Sequence, residues 1–156
     1  MRTLRTLVTG FAISAIVIIS CAVPAYGNGI TAKLCLNLVV SGIKYGTACS
    51  SIYYYTGTTY ISAHADVTST SGLPIRLTRV AIVRTCLACG TSYAIADNSL
   101  GLISTGSTVE AQGTKALMNC GNAGIYFTAW VWGTWSVGSK VYSYGAPSSK
   151  YAYCAT

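Results

Sequence analysis

The chain has 156 residues, of which 52% are apolar and only 8% charged, with ten lysines and arginines against three acids, one histidine and seven cysteines. A soluble domain ordinarily carries ~25% charged residues, so the polar surface here must come from other groups, and so high an apolar content excludes a disordered chain. Three carboxylates and one imidazole leave most acid–base, metal and phosphoryl-transfer machineries without their parts.

The first 27 residues read as a secretory signal. Arg2 and Arg5 precede an apolar stretch over 7–20 that contains Ala15-Ile16-Val17-Ile18-Ile19. Pro24 then breaks the helix, and Ala25-Tyr26-Gly27 sets small residues at the −3 and −1 positions of a cut before Asn28. A second acceptable cut follows Val23-Pro24-Ala25. The apolar stretch is shorter than the ~20 residues of a membrane anchor, so no transmembrane segment is expected. An alternative is lipidation at Cys21, because Ile18-Ile19-Ser20-Cys21 is a loose lipobox that lacks the usual leucine. The expected location is extracellular, with a single domain over 28–156.

Without Arg2 and Arg5 the formal charge falls from +7 to +5, and 16 Thr, 15 Ser and 14 Gly become the main polar matter. The remaining six cysteines, Cys35, Cys49, Cys86, Cys89, Cys120 and Cys154, are even in number and read as disulfides in an exported chain. Sequence does not resolve the 15 possible connectivities; the preferred set is Cys35–Cys49 and Cys86–Cys89, leaving Cys120–Cys154, with distant partners for Cys86 and Cys89 as the alternative.

Along the mature chain, period 2 dominates. Ile30, Ala32, Leu34, Leu36, Leu38 and Val40 alternate with more polar residues, including Cys35, which predicts a half-buried strand ended by Ser41-Gly42. A second β-prone run covers Ser51 to Thr56. A third sets Thr59, Ile61, Ala63, Ala65 and Val67 against Tyr60, Ser62, His64 and Asp66. In the run from Ile75 to Thr85 the alternation slips between Leu77 and Val80, which predicts a bulge near Arg79. Shorter runs follow at 92–96, 100–104, 107–111 and 115–119, with Asp97-Asn98-Ser99 read as a turn. The last third holds runs at 125–136, 141–144 and 151–154. No segment carries a helical stripe. The expected fold is all-β, an antiparallel β-sandwich, with a small β-barrel as the alternative.

Few constellations offer chemistry. Cys86-Leu87-Ala88-Cys89 lacks the following helix that lowers a redox thiol's pKa, and it lacks two further zinc ligands at matching spacing. No cofactor or metal is therefore expected. His64 and Asp66, two apart on one strand, face the same way and are the only basis for a hydrolase, which would need a nearby serine. The simpler reading is a solvated polar face, and no Gly-x-Ser-x-Gly elbow occurs. Asp66, Asp97 and Glu110 are the only carboxylates from which a glycosidase pair could be drawn. Arg76, Arg79 and Arg84 form a modest basic patch, too sparse for nucleic acid but attractive to anionic polymers.

The stretch Tyr126 to Trp135 is the most informative. Ile125, Phe127, Ala129, Val131 and Trp135 form one face, read as core, and Tyr126, Thr128, Trp130, Trp132 and Thr134 the other. With Val137-Gly138-Ser139 as a three-residue hairpin loop, Tyr142 and Tyr144 fall on the second face. Tyr126, Trp130, Trp132, Tyr142 and Tyr144 then make an aromatic platform suited to a glycan, an anionic wall polymer or a protein surface. The expected function is non-enzymatic binding. The alternative is a structural or self-associating extracellular protein.

Overall fold

A computed structural model describes residues 29–119 and 124–151. The leader, the Cys21 site and the Cys120–Cys154 pairing lie outside the described residues. Nine strands are formed among the described residues: β1 (Gly29–Val40), β2 (Ile43–Tyr54), β3 (Tyr60–Ser69), β4 (Ile75–Cys86), β5 (Thr91–Ser104), β6 (Thr108–Gln112), β7 (Ala116–Leu117), β8 (Ile125–Val137) and β9 (Lys140–Pro147). They form two antiparallel sheets, one in the order β1-β2-β3-β6 with β7 also on β3, the other β5-β4-β8-β9. The sheets pack face to face as a sandwich and do not close into a barrel. Across the gap β3 meets β4, β2 meets β8 and β1 meets β9. No helix among the described residues is long and apolar enough to cross a membrane.

Alternation builds the core. Ala48 and Ile52 of β2, Ile61, Ala63, Ala65 and Val67 of β3, and Phe127, Ala129 and Val131 of β8 are all fully or almost fully buried. β4 needs a correction of phase to contribute along its whole length. Leu77 pairs with Gly133 and Arg79 with Trp132, so Thr78 is an extra residue bulged out of the ladder, its hydroxyl donating to the Trp132 carbonyl at 3.2 Å. The bulge turns Val80 and Ile82 inward beside Ile75 and Leu77 and leaves Arg79 outside.

Four expectations change. Strand β2 begins at Ile43, earlier than the run at Ser51 implied. Its middle, Ala48 to Ile52, is buried on both faces, so small residues replace the alternation. Asp97-Asn98-Ser99 is not a turn but the middle of the continuous strand β5: Asp97 meets Arg79, and Asn98 holds Thr114 through its side chain at 2.6 and 2.8 Å. The apolar face of β1 is only partly covered. Leu38 is buried, but Leu34 and Leu36 on the same face of this edge strand are 49% and 42% exposed; Ile30, 46% exposed, lies on the opposite face, because the bulge at Ala32-Lys33 sets Thr31 against Ile52 and Ile30 against Tyr53. Strand β9, finally, is set one residue away from the expected register.

That last change arises at the hairpin turn. Val137 pairs with Lys140, so the loop is Gly138-Ser139, a two-residue turn with Gly138 at φ +60°. One residue fewer in the loop moves every β9 side chain to the opposite face. Tyr144 consequently lies inside, over Gly133, and its hydroxyl donates to the Arg76 carbonyl at 3.0 Å. A Cβ at Gly133 would run into that carbonyl and the Tyr144 ring. Gly133→Ala is therefore expected to lower stability by about 1–3 kcal/mol, the range of core overpacking, read as a reduced denaturant midpoint at constant slope.

Both described cysteine pairs are those of the preferred set. Cys35 and Cys49 stand directly opposite each other on β1 and β2, and Cys86 and Cys89 close the turn between β4 and β5. Outside the gap each sheet presents one face to its surroundings. The two outer faces differ in chemistry and hold the two candidate sites.

Candidate functional site

The outer face of the second sheet is aromatic. Trp130 and Trp132, two apart on β8, stack with ring centroids 5.5 Å apart and planes 13° from parallel. Arg79, brought beside Trp132 by the β4 bulge, lays its guanidinium 4.5 Å from that ring's centroid. The same guanidinium is held from the other side by Asp97, with Nε donating to Oδ1 at 2.7 Å and Nη2 to Oδ2 at 2.5 Å. The hydrogen bonds from Arg79 lower the Asp97 carboxyl below its usual range. Gly145 lies opposite Trp132 on β9 and leaves the space the indole occupies, since a Cβ there would stand 3.0 Å from the ring. Arg79, Trp132 and Trp130 are thus fixed as one unit.

Next to this unit lies an open groove of about 500 Å³, bounded by Trp130 at one side and Tyr126 at the other. Thr85, Ser92, Thr128 and Ser148 line it with Val83 and Pro147; the Thr85 and Ser92 hydroxyls bond each other at 3.0 Å, and the buried Ser148 hydroxyl accepts from the Ala129 N–H and donates to the Ser149 carbonyl. Lys150 is its charged residue, with Nζ 4.6 Å from the centroid of the Tyr126 ring.

Of the five platform residues expected, the structure brings three together on this face: Tyr126, Trp130 and Trp132. Tyr142 and Tyr144 do not join them. The two-residue turn places both on the inner face, where Tyr142 stacks on Trp135 at 5.3 Å and Tyr144 lies 6.1 Å from the same ring. Burial pushes the Tyr144 phenol far above its ordinary pKa. The contributions of Arg79, Lys150 and the hydroxyl rim were missed. The slipped alternation of β4 was the available signal for Arg79; Lys150, distant in sequence, had none.

The outer face of the first sheet is polar, yet its central residues are not solvated as expected. His64 is 8% and Asp66 9% exposed. The Cys35–Cys49 bridge and Lys33 cover them from the β1 side, and Glu110 stands opposite Asp66 on β6. Ser51 Oγ lies 3.3 Å from His64 Nδ1, but Asp66 Oδ1 approaches the same nitrogen, at 3.7 Å. A catalytic triad needs the nucleophile and the acid on different imidazole nitrogens, and a nucleophile that substrate can reach. Ser51 is fully buried, so these three residues do not have that geometry.

The sequence matches no protein-family model and no curated protein. The site must be read from its chemistry. One consequence is directly measurable. Trp130 and Trp132 line the groove, whereas Trp135 is 7% exposed. In a Trp130→Phe/Trp132→Phe double variant the remaining fluorescence is expected to resist acrylamide, while the unmodified protein is strongly quenched. Equal quenching of the two proteins would contradict the placement of Trp135.

Proposed function

We propose that the protein is an exported, non-catalytic binding module that takes a glycan or glycan-containing wall polymer into the groove between Tyr126 and Trp130. The observation that carries this reading is the combination of an immobilised aromatic wall with a rim of hydroxyls. A sugar ring has an apolar C–H face that stacks on an indole or phenol, and an edge of hydroxyls that need hydrogen-bonding partners. Tyr126 and Trp130 are four residues apart on one strand, ~13 Å at ~3.3 Å per residue, with the buried Thr128 between them. Arg79 and Trp132 hold Trp130 from behind, which reduces the ordering cost of binding. Lys150 supplies a positive charge at the groove, and with the +5 mature chain it favours an anionic polymer with salt-sensitive affinity. Export rests on the leader over 1–27 and on the two disulfides, which persist in oxidising compartments.

A second reading draws on β1. Its outer edge is unpaired by any named strand over twelve residues and exposes Ile30, Leu34 and Leu36, features that favour association between copies. It predicts oligomers growing with concentration in size-exclusion chromatography, reduced by Leu34→Lys.

The binding reading predicts that tryptophan fluorescence shifts on titration with at least one of a panel of neutral and anionic polysaccharides. Trp130→Ala should weaken that binding by about tenfold or more, the loss of a central aromatic anchor. Tyr142→Phe, on the inner face, should leave it unchanged. Absence of any response across the panel, or equal affinity of the Trp130→Ala variant, would sink the proposal.

A further inference from the structure

The polar cluster on the first sheet is independent of the groove, and its atoms are arranged in a way that hydrogen bonding within the cluster does not satisfy. His64 and Asp66 come from alternate positions of β3, and Glu110 from the position of β6 directly opposite Asp66. One ligand-type atom of each lies within 4.8 Å of those of the other two. Ser51 fixes the ring. Its hydroxyl lies 3.3 Å from Nδ1 and 3.4 Å from the His64 carbonyl oxygen. The other nitrogen, Nε2, faces Glu110 Oε2 at 3.9 Å, and Asp66 Oδ1 stands 3.7 Å from Nδ1, both too far for a hydrogen bond.

One imidazole and two carboxylates gathered at these separations without hydrogen bonds between them suit a shared cation. We propose that His64 Nε2, Asp66 and Glu110 form a binding site for a divalent transition-metal ion of the zinc class. Imidazole with two carboxylates is a borderline donor set that favours zinc, cobalt or nickel over calcium or magnesium, which prefer all-oxygen shells. A tetrahedral ion with bonds of ~2.1 Å sets its ligand atoms ~3.4 Å apart. Rotation of Glu110, whose side chain is 67% exposed, closes its 3.9 Å separation from Nε2 to that value, and Asp66 must turn its carboxylate toward the same point. The Nδ1–Ser51 contact supplies the outer hydrogen bond that orients a metal-bound histidine. Solvent completes the shell.

Lys33 is the residue that stands in when no ion is bound. The β1 bulge sets Ala32 and Lys33 together against Ser51, and Ala32 at φ 55° turns the chain there. Lys33 Nζ consequently reaches Asp66 Oδ2 at 2.5 Å and supplies positive charge to a cluster with two carboxylates. An incoming dication competes with that ammonium.

The test uses the full exported chain, stripped of metal with a chelator, at fixed pH and salt. Cobalt(II) should bind one equivalent and develop the visible d–d bands of a four- or five-coordinate ion, and zinc should displace it. Glu110→Gln, on an exposed edge-strand residue, should weaken zinc by about tenfold or more in competition with a chromophoric chelator, and Lys33→Met should tighten it. His64→Ala is expected to abolish binding, with circular dichroism checking that it folds. Three results overturn the site: cobalt spectra no different from the aqua ion, near-ultraviolet thiolate-to-cobalt bands that assign the ion to cysteine, or one zinc affinity shared by the parent and Glu110→Gln. Unchanged or weaker zinc binding in Lys33→Met overturns the competition.

Discussion

Both faces of the second sheet depend on the phase of β4, the strand that pairs with β5 and β8 and packs across the gap on β3. A strand's side chains alternate strictly, so a strand that must bury Ile75 and Leu77 at one end and Val80 and Ile82 at the other needs one residue out of step. Thr78 is that residue, held by its hydroxyl to the Trp132 carbonyl. The same step turns Arg79 outward at the point where β8 presents Trp132. A requirement of the core thereby positions a cation on an indole, and Asp97 of the neighbouring strand fixes it there.

The second constraint is the length of the β8–β9 turn. Two residues instead of three send Tyr142 and Tyr144 to the inside, where they pack against Trp135 and fill the space above Gly133. Aromatic residues that could have widened an outer platform serve the core instead. The outer face is narrower but better supported: Trp132 is backed by Arg79 and by the vacancy at Gly145, and Trp130 is backed by Trp132. This supported aromatic wall beside an open groove is the feature on which the proposed glycan-binding role rests.

The first sheet shows the opposite economy. Its outer face concentrates two of the three carboxylates and the only histidine, and a disulfide and a lysine shield them from solvent. Burying such groups is costly unless their charges and lone pairs are matched. Lys33 matches Asp66, and Ser51 matches one side of His64. Toward Glu110 the ring makes no hydrogen bond, the carboxylate standing 3.9 Å from Nε2, and this gathering of three ligand-type groups motivates the assignment of a cation site. Scarcity of acids in the composition argued against metal chemistry when the residues were counted singly; β3 and β6 gather two of them with the histidine on one face.

Period-2 alternation and turn residues were enough to determine the all-β class, most strands, the β4 bulge and the inner face of β8, whereas the cysteine pairing was a preference among open alternatives. These are local properties: a strand's in–out pattern and a short loop's closure depend on residues a few positions apart. What only the tertiary structure decided are matters of neighbourhood. Whether β1 is covered depends on how far β9 reaches beneath it, and whether His64 is solvated depends on a bridge and a lysine from β1. Glu110 joins His64 only through the pairing of β3 with β6, more than forty residues later in the chain. The hairpin register shows the boundary most plainly. Val137-Gly138-Ser139 can be read as a three-residue loop, but Gly138-Ser139 alone also fits a two-residue turn with glycine at the positive-φ position, and the fit of Tyr144 over Gly133 and near Trp135 agrees with that shorter turn.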